Sequence, residues 1–110
     1  MKTLLFMCDG KPVLVLVPGS RKADPSKIAV AVGANAARIA PPSVVKSATG
    51  FEVGGVAPFP SLAGRVLVER SLLSWKLVWV GAGSDRHMAG LGPLELVRLT
   101  RAQTIDVCAL

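Results

Sequence analysis

Two short apolar runs open the chain on either side of a polar dipeptide. Residues 2–8 read Lys-Thr-Leu-Leu-Phe-Met-Cys, residues 12–17 read Pro-Val-Leu-Val-Leu-Val, and Asp9-Gly10 lies between them. An Asp-Gly pair accepts the left-handed conformations of a tight hairpin turn, so the pattern predicts two antiparallel strands. The apolar stretch 13–17 stops at Pro18-Gly19 and reads as a buried strand. It is far short of the roughly 18–20 residues of a membrane helix. Further on, Asp24-Pro25 supplies an N-cap and a proline at the first helical position, predicting a short helix over 26–32 that Gly33 ends. Residues 36–40 read as a short strand, and residues 42–49 as a second helix closed by Gly50. The stretch 51–64 holds Gly54, Gly55, Pro58, Pro60 and Gly64, has no clear period, and predicts a long loop of the functional kind. Strands follow at 65–69 and 77–80, with residues 81–84, Gly-Ala-Gly-Ser, as a tight turn. A third helix runs from Gly92-Pro93 to Thr100, offering Leu94, Leu96 and Val97 to the core, and residues 104–107 form a last strand. Short strands and helices without regular alternation predict an α+β single domain over 1–110, with a mixed, mostly antiparallel sheet and short helices.

Composition narrows the function. A chain of 110 residues fits one compact domain. The apolar start is too short for a secretory signal and lacks a small-residue cleavage site, so a cytoplasmic protein without membrane attachment is expected. Thirteen basic residues against seven acidic ones give a net charge of +6, which attracts polyanions. The cations are scattered, and the absence of tyrosine argues against an aromatic platform for single-stranded bases. Cys8 and Cys108 stand at opposite ends of the chain and His87 is the one histidine, so no zinc site is predicted and the thiols read as buried and free. Ser84, Asp85 and His87 are neighbours, but adjacency in a turn does not make a catalytic triad. Gly81-Ala82-Gly83 lacks the third glycine and the preceding strand–helix–strand unit of a dinucleotide fingerprint. No cofactor is predicted. The remaining chemistry is a glycine-rich loop, a glycine turn and Lys2 on the first strand; glycines let backbone amides approach a ligand, as an oxyanion site requires.

Four segments in order carry a family resemblance. They are residues 2–6 with 13–19; Thr49-Gly50-Phe51-Glu52-Val53-Gly54-Gly55-Val56-Ala57-Pro58-Phe59; Val78-Trp79-Val80-Gly81-Ala82-Gly83-Ser84 with His87 behind; and residues 96–100 followed by Ile105-Asp106-Val107. Together they resemble the YbaK/ProX-type aminoacyl-tRNA editing domain over nearly the whole chain. The resemblance implies a trans-editing hydrolase that deacylates mischarged tRNA, such as a proline tRNA carrying alanine or cysteine. It implies Lys2 as the catalytic lysine. It assigns Gly54, Gly55, Val56, Ala57, Pro58 and Phe59, with Gly81, Gly83 and Ser84, to substrate binding, and it leaves His87 without a catalytic role. Implied partners are aminoacyl-tRNA and prolyl-tRNA synthetase. Three departures stand beside it. The lysine is residue 2, where members carry a helix and strand before it; Pro60 replaces a frequent glycine; and Glu69-Arg70 replaces a frequent Asp-Glu pair before Ser71. An N-terminally shortened domain would leave strand 3–7 at a sheet edge and favour a homo-oligomer. The rival functions are a non-catalytic module that binds tRNA or a synthetase, and an inactive remnant that self-associates.

Overall fold

Asp9 and Gly10 take positive φ angles of 51° and 82°, and the strands on either side pair in antiparallel register from Lys2↔Val17 to Cys8↔Lys11. This hairpin, β1 (Lys2–Cys8) and β2 (Lys11–Val17), is the centre of the computed structural model, which describes residues 1–49, 65–84 and 87–109. The chain continues through α1 (Pro25–Val32), β3 (Ala37–Ile39), α2 (Pro42–Thr49), β4 (Arg65–Glu69), a 3₁₀ turn (Arg70–Ser74), β5 (Val78–Ser84), β6 (His87–Leu91), α3 (Pro93–Thr100) and β7 (Gln103–Ile105). The main sheet has the order β3-β1-β2-β4-β7, and β5 and β6 form a separate hairpin. β1 is antiparallel to β2 and β3, while β4 is parallel to β2 and β7. The α+β fold with a mixed sheet is therefore as expected. Antiparallel pairings predominate only when the β5–β6 hairpin is included.

Both faces of the sheet are covered. Leu5, Leu14, Leu16, Val66 and Val68 meet Val45 of α2, Leu72 of the 3₁₀ turn, Val78 of β5 and Leu96 of α3. Phe6, Cys8, Val13, Val15, Val17 and Leu67 meet Ile28 of α1 and the C-terminal Val107 and Cys108. Burial on two sides explains why β2 is apolar at consecutive positions instead of alternating. The helix caps act as predicted: the Asp24 carboxylate accepts from the Ser26 N–H at 2.9 Å, and Gly33 closes α1 at φ 71°.

Four expectations are corrected. β1 is not an open edge over its whole length: β3 pairs with it at residues 6–8 and the Ala40 N–H bonds to the Leu5 carbonyl. The edge expected at residues 3–7 is thus covered in its second half. Residues 81–84 are not a turn: they extend β5, with Gly81 opposite Met88 and Ser84 opposite His87, and the register shifts between Gly81 and Ser84. Small residues suit such an irregular strand as well as a turn, which is why composition misled. Leu94 is 73% exposed. The core-facing positions of α3 are Pro93, Leu96 and Thr100, at helical spacing, which turns Leu94 outward. The last strand is Gln103–Ile105, and Val107 is held instead by a side chain, as described below. Gly50 and the predicted loop 51–64 lie outside the described residues.

Candidate active site

Lys2 begins β1 opposite Val17. Alternation along the strand puts it on the α1 side of the sheet with Leu4 and Phe6, and its cross-strand partner Val17 packs in that same cluster. Lys2 is half-buried, and among the described residues no hydrogen bond or ion pair holds its ammonium. The register continues across the sheet from Leu16↔Val68 to Glu69↔Ile105, so Glu69 lies two strands from Lys2 in the same row, about 10 Å away at the usual strand spacing.

Glu69 is not available to Lys2. Its carboxylate is almost wholly buried, at 2% exposure, and both oxygens are committed. Oε2 accepts from the Ser71 N–H at 2.6 Å and Oε1 from the Val107 N–H at 3.1 Å, with the Arg21 guanidinium 3.7 Å away. Burial alone would raise its pKa. The hydrogen bonds from Ser71 and Val107, helped by Arg21, outweigh that and hold it below the usual glutamate range. Arg21 also reaches Ser71 Oγ and the Ala109 carbonyl, both at 3.4 Å. Lys27 bonds the Asp106 carboxylate at 2.9 Å and the Cys108 carbonyl at 2.8 Å. The group caps the 3₁₀ turn and ties the C-terminal segment to β4 and α1, so its role is structural. Sequence reading noted Glu69 only as a departure from a family pair. Glutamate is not among the residues favoured at an N-cap, so neither its bond to Ser71 nor its bond to Val107 was legible.

The other predicted residues fall into two groups, one of them on the β5–β6 hairpin. Gly81, Gly83 and Ser84 lie on β5, and His87 opens β6 directly opposite Ser84 in the backbone register. β5 packs beside β1, so the strand bearing Lys2 and the strand bearing the glycines are neighbours. Their faces differ, however: Lys2 is on the α1 side by alternation, and Val78 of β5 enters the core on the opposite side. Gly54, Gly55, Val56, Ala57, Pro58 and Phe59 lie outside the described residues. A cavity of about 420 Å³ is at the other end of β1, lined by residues including Cys8, Asp9, Lys11 and Arg65. Two of its charged groups, Asp9 and Arg65, are already engaged. The Asp9 carboxylate accepts from the N–H groups of Asn35 and Ala36, and Arg65 bonds Gln103 and the Ala31 carbonyl. Size alone does not make it the reaction site. Cys8 and Cys108 are free and buried, and burial pushes both thiols up in pKa. Among the described residues no cluster of histidine, cysteine or carboxylate side chains could hold a metal, and no helix is long and apolar enough to cross a membrane.

A mixed sheet with three short helices and a lysine at the head of its first strand defines a class when set beside known proteins. The model of the aminoacyl-tRNA editing domain matches residues 1–99, and the chain belongs to that family. It is 33% identical, with a TM-score of 0.88, to a crystal structure described as a candidate trans-editing enzyme for prolyl tRNA synthetase; the match covers 99% of this chain and 69% of that one. The uncharacterized protein YwhH of Bacillus subtilis is 34% identical over 97% of this chain and 69% of its own length. The proline–tRNA ligase of Anaeromyxobacter sp. (strain K) is 35% identical over 83% of this chain. That match spans only 16% of the ligase, so the chain corresponds to about one-sixth of that relative.

Proposed function

We propose that this editing domain hydrolyses the ester of a mischarged tRNA supplied in trans, with a proline tRNA carrying alanine or cysteine as the expected substrate. The observation that carries the reading is Lys2: it stands where the resembled family has its essential lysine, and no described acceptor occupies its ammonium. A lysine ammonium is a compact point charge suited to a phosphate or ribose of the tRNA end. Water adds to the ester carbonyl, the C=O π electrons move onto oxygen as an oxyanion, and its collapse breaks the bond to the ribose oxygen, which leaves as a hydroxyl with a proton from the water. The amino acid and free tRNA are the products. Backbone amides of residues 54–57, in a loop shaped by Pro58, are proposed to hold the aminoacyl end and the developing oxyanion. Positioning and oxyanion stabilisation supply the acceleration without a protein nucleophile. Prolyl-tRNA synthetase is the proposed partner, because a related enzyme is described as acting for it and the ligases carry a similar segment.

The test is deacylation of a panel of mischarged tRNAs by the purified chain. Release of alanine or cysteine from the proline tRNA supports the reading. Binding of these tRNAs without release from any of them would leave only a binding module. Gly54→Ala is expected to lower kcat/KM at least about tenfold, because a Cβ obstructs close approach of the backbone; normal turnover in that variant would remove the loop from the site. His87→Ala should retain most activity, with no loss of a pH–rate limb near about 6.5, where a histidine base would titrate. A collapse of turnover with unchanged melting would make His87 catalytic.

A further inference from the structure

We propose that the outer face of the β5–β6 hairpin, formed by Trp79 and Leu77, is a stacking surface for the unpaired 3′ bases of the tRNA. The editing reading supplies the identity of that RNA; the surface itself is seen in the geometry. Val78 is fully buried in the core, so strand alternation turns its neighbours Leu77 and Trp79 outward, where they are 46% and 53% exposed. Trp79 pairs in register with Gly90. A Cβ at Gly90 would lie 3.3 Å from Trp79 Cζ3 and 3.3 Å from Leu77 Cδ2. The bare glycine therefore lets the indole settle against β6 beside Leu77, which fixes the ring while leaving half of it open. Trp75, also partly exposed, stands just before them, with the exposed Lys76 between.

An indole fixed on a strand and open to solvent is suited to stacking on a base of any identity. The charge favours the same occupant. Residues 70–79 include Arg70 and Lys76 and no acidic residue, in a chain of net charge +6. A second copy of the chain fits less well: the three half-exposed side chains offer roughly 300–400 Å² of apolar area, against about 800 Å² per partner in a stable interface. The hairpin also leads directly into residues 81–84, which the family resemblance assigns to the substrate. The lack of tyrosine, read from composition as evidence against a stacking platform, is answered by the placement of both tryptophans.

Trp75 and Trp79 are the only tryptophans and there is no tyrosine, so intrinsic fluorescence reports on Trp79 and on Trp75 four positions before it. Titration with a short single-stranded RNA ending in CCA should quench it, and a blunt duplex of equal charge should quench it much less. Trp79→Leu keeps the apolar bulk but removes the ring. It should weaken RNA binding about tenfold and raise KM for aminoacyl-tRNA by a similar factor while kcat changes little. Trp79→Phe should recover most of the affinity at an unchanged melting temperature. Fluorescence unmoved by RNA, with KM unchanged in Trp79→Leu, overturns the proposal even if deacylation is normal. Fluorescence that shifts with protein concentration alone, together with dimers in light scattering, overturns it in favour of a second copy. Quenching by RNA in a chain that deacylates nothing would uphold the stacking surface and defeat the editing reading.

Discussion

Lys2→Ala is expected to lower deacylation about 100-fold or more while the melting temperature stays within a degree or two. The magnitude is that of removing one fixed electrostatic contact to a transition state, about 10²–10³ in rate. The stability half of the prediction comes from the structure. Lys2 is half-buried at the start of β1, and no described group depends on its charge. Only the packing of its methylene stem against the sheet is lost. Lys2→Met keeps that stem and should be as inactive as the alanine variant, which separates charge from packing. Lys2→Arg keeps the charge with a different shape and should recover only part of the rate. Single-turnover hydrolysis of mischarged tRNA, with thermal melting of each variant, makes the measurement. Near-normal rates in Lys2→Met would remove the lysine from the reaction.

Glu69→Ala should show the opposite pattern, a large loss of stability from a residue with no proposed role in chemistry. The buried N–H of Val107 and the partly buried N–H of Ser71 would each lose their acceptor, and Arg21 would lose its anion. Two orphaned donors at about 1–3 kcal/mol each give a loss of about 3 kcal/mol, or a melting point lower by about 15 °C for a domain of this size. The same carboxylate gives a pH signature. Its folded pKa lies below its unfolded one, so its contribution is complete above about pH 4.3 and disappears as the pH falls through the lower folded value. Asp106, whose pKa Lys27 lowers through a hydrogen bond, acts in the same direction. Denaturant titrations should therefore show stability falling below about pH 4.3 in the parent and falling less steeply in Glu69→Ala. Equal slopes would show that the carboxylate is not held as its geometry implies.

Much of the local structure was legible because local chemistry decides it. Asp9-Gly10 has few alternatives to a tight turn, since both residues tolerate positive φ and the flanking runs can pair at once. Asp24, Pro25 and Gly33 bound α1 because a side-chain acceptor, a preset φ and a missing Cβ act within a few bonds. Lys2 was recognised through the resemblance of its segment, not through any property of an isolated lysine. The sequence by itself thus determined the first hairpin, the bounds of α1, the domain class and the family to which the chemistry belongs. Tertiary structure decided what depends on residues far apart in the chain. β3 returns to pair with β1 at residues 6–8 and takes that half of the strand from the sheet edge, which no pattern within residues 2–8 encodes. Glu69 meets Val107 across 38 positions because the parallel β4–β7 pairing brings their segments together. Residues 81–84 extend a strand because their hydrogen-bonding partners come from β6, while their glycines alone fit a turn equally well. Trp79 faces outward only because Val78 faces the core, and that choice of face is set by the elements packed beneath the hairpin.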